Sequence, residues 1–287
     1  MKNEESIGSA DECVINEGKD KVRNEESLNG RTKNYSQNPS ATDSSLFTLH
    51  SSLKKSIRHA NAAFGLIEDG DKILVGLSGG KDSLCLLEML AKMSRIAVPR
   101  FTVEAIHVRM ANVQYETDTE YIETFARDLG VKLHIVTTSF DETTAGKKPM
   151  CFLCSWYRRK EMFNLAQAEG FNKIALGHHQ DDIIHTAMLN LFNQGHFSTM
   201  PAKMKMRKMP ITIIRPLCMV KEKDIAEYAA LQGYKKQVKL CKYEHASQRT
   251  DMRELFEAME QKTPEVRYSV WHALKSEGKL VEMKSEE

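Results

Sequence analysis

The stretch Ile73-Leu-Val-Gly-Leu-Ser-Gly-Gly-Lys-Asp-Ser83 limits the fold more than any other part of the chain. An apolar run ends in a serine and two glycines, and helical periodicity starts directly afterwards. Strand, glycine turn and helix start in that order aim backbone N–H groups and a helix dipole at an anion, and Lys81 adds a full positive charge. The stretch reads as a phosphate cradle. It is not a Walker A loop, which needs glycine where Val75 stands and Ser or Thr where Asp82 stands. The plain alternative is a strand-to-helix turn that uses glycine for close packing, and the complete Ser-Gly-Gly-Lys-Asp-Ser string argues against it.

The rest of the chain repeats the same alternation. Leu53, Ile57, Ala60, Phe64 and Ile67 recur at helical spacing between Ser51 and Glu68. Strands are expected at 72–77, 101–108, 131–137, 173–176 and 211–214, with helices at about 82–95, 116–129, 156–169, 181–192 and 221–232. Strands separated by helices imply right-handed crossovers and a parallel sheet covered on both faces. The expected fold is therefore α/β, a doubly wound parallel sheet with helical N- and C-terminal additions. Ligands of such sheets bind beyond the carboxyl ends of the strands. That rule gathers 78–83, the segment after Val108, the loop 138–155 and Gly177 to Asp182 on one rim.

Residues 1–46 are rich in Asn, Ser, Glu and Lys, show no apolar period and read as a disordered extension. Residues 47–260 form the expected nucleotide-binding domain, and 261–287 a C-terminal helix and tail. No run of about 18 apolar residues offers a membrane span, and the N-terminus lacks a secretory apolar stretch, so a cytoplasmic protein is expected. Six cysteines at 13, 85, 151, 154, 218 and 241 are too unevenly spaced for a disulfide framework. Net charge is only +2, but Lys and Arg concentrate in 200–242. Such a patch suits nucleic-acid phosphates and equally suits a solvated loop.

Cys151 and Cys154 fall before the third expected crossover helix, where the dipole and Arg158, Arg159 and Lys160 favour thiolates. Cys241, in a polar, basic stretch, is the best third ligand; Cys85 and Cys218 sit in apolar runs and read as core. Three thiolates fit a [4Fe–4S] cluster with one open iron. Zinc completed by His245 and a simple Cys-x-x-Cys redox pair remain the alternatives. Gly177-His178-His-Gln-Asp181-Asp182 lies on the rim, where the carboxylates suit Mg²⁺ bridging nucleotide phosphates and a histidine suits phosphate; a capped helix start explains the same residues. Arg215 reaches the rim for phosphate, RNA or an ion pair. Lys203, Lys205, Arg207 and Lys208 read as an extended mobile loop against RNA backbone, with His196 and Phe197 stacking on an unpaired base.

Ser78 to Ser83 resembles the PP-loop of the ATP pyrophosphatases. Taken with Cys151/Cys154 and Arg158-Arg159, Ala175 to Ile184, Ile214-Arg-Pro-Leu217, and Cys241 followed by Ser247-Gln-Arg249, the chain resembles the tRNA 2-thiocytidine biosynthesis proteins over about residues 53–260. The resemblance implies an ATP-dependent thiolase acting on an anticodon-loop cytidine of tRNA. It implies that Ser78, Gly79, Gly80, Lys81, Asp82 and Ser83, with Gly177 and His178, bind ATP, and that Cys151, Cys154 and Cys241 hold a [4Fe–4S] cluster. Lys81, Asp82, Arg158, Asp181 and Asp182 become the candidate catalytic set, with Mg²⁺. Arg159, Lys203, Lys205, Arg207, Lys208 and Arg215 become the candidate RNA contacts. A cysteine desulfurase or other sulfur donor is the implied partner, and a homodimer is compatible with it. Val238 stands where family members often carry a further cysteine, which leaves the trio intact.

Three rivals are weighed against this. A tRNA lysidine synthetase shares the loop and the His-His-x-x-Asp-Asp segment but not Cys151-x-x-Cys154. A tRNA 2-thiouridine synthetase with zinc ribbons would need cysteine pairs near both ends. A non-catalytic RNA-binding module would have no use for Lys81 or for the cysteines.

Overall fold

Ile73, Leu74 and Val75 are all inaccessible to solvent, and a strand buried on consecutive residues needs cover on both faces, as inside a parallel sheet. The structure, a computed structural model, describes residues 41–96, 98–111, 119–140, 150–235 and 248–282. Its strands are β1 (Asp71–Gly76), β2 (Phe101–Met110), β3 (Leu133–Thr138), β4 (Lys173–Ala175), β5 (Lys203–Lys205), β6 (Thr212–Ile214) and β7 (Val281–Glu282). They form one sheet in the order β3-β2-β1-β4-β6-β5-β7. From β3 to β6 every neighbouring pair is parallel. The chain runs outward from β1 to β3 and then returns to the other side of β1, so strand order reverses between β1 and β4. That is the switch point at which such sheets open a ligand crevice.

The helices are α1 (Ala41–Phe64), α2 (Lys81–Met93), α3 (Thr119–Asp128), α4 (Met150–Ala168), α5 (Gln180–Gln194), α6 (Glu222–Leu231), α7 (Gln248–Lys262) and α8 (Val266–Ser276). Side-chain alternation divides β1 between two cores. Ile73 and Val75 join the larger one, with residues of α1, α2, α3, α5 and α6. Leu74 joins the smaller one, where Met162, Phe163 and Ala166 of α4 cover the opposite face. A Cβ at Gly76 would lie 3.0 Å from Met162 Sδ, so the absence of a side chain there lets α4 press on the sheet. α2 is buried from Ser83 through Ala91. The one carboxylate in that run, Glu88, accepts hydrogen bonds from Tyr228 Oη at 2.8 Å, from Tyr234 Oη and from Lys92 Nζ at 2.5 Å, which keeps a buried charge satisfied.

The structure corrects several expectations. α1 begins at Ala41, so helix enters the region read as extension up to residue 46; Leu46 and Leu49 continue the apolar stripe and pack on the main core. α7 runs through the expected boundary at 260. The basic stretch is not a mobile loop at Lys203: β5 pairs antiparallel with β6, and Lys203 Nζ donates to Gly65 O at 2.6 Å. α4 starts at Met150, which puts Cys151 and Cys154 inside a helix rather than ahead of it. Residues 1–40 and Cys241 lie outside the described residues. Among the described residues no helix is long and apolar enough to cross a membrane.

Candidate active site

The cradle forms because serine hydroxyls replace side-chain bulk at the turn. Ser83 Oγ donates to Gly80 O at 2.9 Å and lies 3.1 Å from Ser78 Oγ, while Ser78 N donates to Ser83 Oγ at 3.2 Å. Gly79 sits at φ +83°, a conformation that strains any residue with a Cβ. Gly80 precedes α2 with extended backbone and no side-chain cap. The first-turn N–H groups of α2 therefore face the crevice uncapped, which is the arrangement that receives a phosphate. Gly177, after β4, closes the other wall: a Cβ there would lie 3.1 Å from the Asp82 carbonyl and from Ser83 N.

Lys81 Nζ lies 3.0 Å from Asp82 Oδ1 and 3.0 Å from Glu222 Oε1. Burial opposes its charge, but Asp82 and Glu222 outweigh that and hold the ammonium above its ordinary pKa. Glu222 also meets Arg253 at 2.9 Å, so it links the cradle to α7. Asp82 Oδ1 is screened from water and makes no hydrogen bond in good geometry.

The segment after β4 divides the labour of its carboxylates. His179 caps α5: its Nδ1 accepts from Asp182 N at 3.4 Å, and Asp182 Oδ2 accepts from His179 N at 3.1 Å. His179 Nε2 is 3.9 Å from Asp82 Oδ1 and 3.4 Å from Asp182 Oδ2, so these two half-exposed carboxylates share one side of the crevice. Asp181, whose Oδ2 lies 3.7 Å from His179 Nδ1, is engaged elsewhere. It is buried, accepts from Glu222 N at 2.7 Å through Oδ2, and pairs with Arg267 at 2.7 Å through Oδ1. Burial pushes its pKa up, yet the Glu222 N–H and Arg267 outweigh that and hold it below the usual range. Both of its carboxylate oxygens thus have protein partners, where a metal-facing carboxylate is expected from the sequence. Among the described residues no three His, Cys, Asp or Glu side chains make a metal-holding group.

Arg215 is 6% exposed, which removes the surface ion pair and the RNA contact expected of it. Its Nε donates to His178 Nδ1 at 3.2 Å and its NH1 to Pro201 O at 2.5 Å, so it positions His178 on the rim. Burial, then the neighbouring Arg159, lowers its pKa. His107, not singled out from the sequence, donates from Nδ1 to Leu77 O at 2.7 Å, at the base of the cradle. Burial lowers its pKa, with Arg158 and Arg109 adding to that and the hydrogen bond to Leu77 O opposing it.

Four cysteines are described, and their surroundings differ. Cys85 and Cys218 are buried; burial pushes the Cys218 thiol up to about 12 and that of Cys85 higher still. Neither can readily offer a thiolate. Cys151 is exposed and Cys154 half-buried, three residues apart on the first turns of α4. Lys205, Arg207 and Lys208 are exposed, but the β5–β6 hairpin turns at the amino end of the parallel strands, away from the cradle. Phe197 packs against the main core instead of presenting its ring. Glu222, Arg253 and Arg267 were not legible as site residues: an acid in a helix's first turn reads as dipole compensation, and arginines 31 or more positions away carry no local signal.

A model of the PP-loop domain matches residues 49–239. The chain is 36% identical over 222 residues to a tRNA-cytidine(32) 2-sulfurtransferase of Bdellovibrio bacteriovorus, covering 76% of this chain and 85% of that one. It is 34% identical over 240 residues to the same-named enzyme of Acinetobacter baylyi, covering 82% and 79%. Among solved structures the U34-tRNA thiolase NcsA from Methanococcus maripaludis with its [4Fe-4S] cluster shares the fold, with TM-score 0.68, 23% identity and coverage of 80% and 79%. Cradle, rim and sequence agree, and the chain belongs to the PP-loop family and, within it, to the tRNA-cytidine(32) 2-sulfurtransferases.

Proposed function

We propose that this protein thiolates a cytidine of tRNA at the expense of ATP. The observation that carries the reading is one rim holding both an uncapped phosphate cradle at Ser78 to Ser83 and the accessible cysteines at the head of α4. ATP lies with its phosphates against the first-turn N–H groups of α2 and against Lys81, which leaves Glu222 for them. The cytidine O2 attacks the α-phosphorus, and the bond to pyrophosphate breaks; Lys81 and the α2 dipole stabilise the charge that leaves. A sulfur nucleophile then attacks C2, the C–O bond breaks, and the original oxygen departs in AMP.

The donor set fits a [4Fe–4S] cluster, since Cys85 and Cys218 are held protonated while Cys151 and Cys154 are accessible. Cys151 and Cys154 would hold it with Cys241. When bound, such a cluster supplies an open iron able to carry sulfide. Asp82 and Asp182, rather than Asp181, are the carboxylates placed to receive the Mg²⁺ that accompanies ATP, and His178, held by Arg215, meets phosphate. Arg158 and Arg159 lie toward the incoming RNA. A cysteine desulfurase or similar donor supplies the sulfur, in the cytoplasm, and a second copy of the chain is a candidate partner. The test is anaerobic turnover with ATP, sulfide and unmodified tRNA, followed by nucleoside analysis. 2-Thiocytidine in the product and one AMP released per sulfur are expected; unmodified cytidine, or lysidine in its place, would refute the assignment.

A further inference from the structure

The exposed side of α4 has a composition that packing does not explain. Cys151, Phe152, Ser155, Trp156, Arg159 and Lys160 are exposed, while Met162, Phe163 and Ala166 turn the next part of the helix to the core. Phe152 is 50% and Trp156 48% exposed, a costly way to display two large aromatic rings on one helix face. They are four residues apart and so one above the other, about 6 Å along the axis. That is close to twice the ~3.4 Å rise between stacked bases.

The Trp156 ring is also held in place. Trp156 makes an edge contact with Tyr157 at 4.9 Å, Tyr157 rests against the buried Phe140 at 5.7 Å, and Lys160 Nζ lies 5.7 Å from the Trp156 ring centroid and 5.9 Å from that of Tyr157. Arg158, Arg159 and Lys160 follow one another in sequence, and no acidic residue lies between 150 and 160. A fixed indole and a second exposed ring beside a row of cations match single-stranded nucleic acid, in which a base stacks and its phosphate pairs.

We propose that Phe152 and Trp156 stack an unpaired base next to the target cytidine, with Arg159 and Lys160 on its phosphates. This rests on the thiolation reading and extends it to substrate positioning. The ridge begins at Cys151, so a base held there presents its neighbour to the cysteines at the head of α4. A polypeptide partner fits less well, because the charges along 150–160 are all cationic and sit beside exposed rings, a pairing that suits phosphates and bases.

The test uses the full chain and a synthetic anticodon stem-loop RNA with unmodified cytidine in its loop. Trp156→Ala is expected to weaken Kd at least about fivefold and up to about 150-fold, the range that loss of one stacked base gives. Trp156→Phe keeps a ring and should stay within about threefold. The chain has two tryptophans, so in a Trp271→Phe background the emission reports Trp156 alone and should quench as the RNA binds. Turnover should show a raised KM for RNA with unchanged KM for ATP. If the wild type binds the stem-loop and Trp156→Ala binds it equally, with unchanged circular dichroism and no quenching, the ridge proposal falls and the face belongs to a protein partner. If the wild type binds the stem-loop no better than an unrelated duplex, the thiolation reading falls with it.

Discussion

Replacing Gly177 by alanine tests whether β4 and the cradle are built against each other as tightly as the geometry says. The added Cβ would lie 3.1 Å from Asp82 C, from Asp82 O and from Ser83 N. All three are backbone atoms, so no side-chain rotation relieves the crowding. α2 cannot retreat either, because Ser83, Leu84, Cys85 and Leu86 behind the contact are all buried. Overpacking of this kind costs about 1–3 kcal/mol, which for a chain of this size lowers Tm by roughly 2–12 °C. The atoms displaced are those that carry the first-turn N–H groups, so ATP affinity should fall on the order of tenfold. Differential scanning calorimetry and equilibrium ATP binding read the two effects separately. Gly170→Ala is the control: Gly170 has φ +71° with nothing within 4 Å, so it should lose about 1–2 kcal/mol of stability through backbone strain and bind ATP normally. A Gly177→Ala protein with wild-type Tm and ATP affinity would refute the close approach.

Glu222→Gln removes the carboxylate that competes with phosphate for Lys81, and ATP should bind up to about fivefold tighter; weaker binding would show that Glu222 aligns Lys81 instead. Asp181→Asn should destabilise the junction of α5, α6 and α8. Because the folded pKa of Asp181 is depressed, its contribution is present above the unfolded value of about 3.9 and is lost as pH falls below it. The gap in Tm between variant and wild type should therefore be constant near neutrality, begin to narrow below about pH 4 and close as pH falls through the depressed folded pKa; a gap that does not narrow in acid would overturn the ion-pair account. Cys151→Ala should abolish the visible absorbance of the anaerobically purified protein, whereas Cys218→Ala should retain it, as iron and sulfide analysis can check.

The alternation of strands and helices, the cradle and the glycines that end helices were legible because each depends on neighbours in sequence. Their limits were less so. The start of α1 is not legible although Leu46 and Leu49 continue its stripe, since the Ser- and Thr-rich residues before them carry no apolar period. The basic stretch looked like a loop because a three-residue strand carries no periodic signal, and β5 exists only by pairing with β6.

What the sequence alone determined is the phosphate chemistry and the presence of accessible cysteines, because a glycine-rich turn before a helix and a Cys-x-x-Cys pair act through local backbone and charge. The tertiary structure decided where each of several like residues lies. It turned Asp181 inward to Arg267 and left Asp182 facing Asp82 across His179; it buried Arg215 behind His178 and carried the 205–208 cations to the far end of the sheet. Those choices follow from desolvation and long-range pairing, in which a charge is taken up by whichever partner the packed helices bring to it.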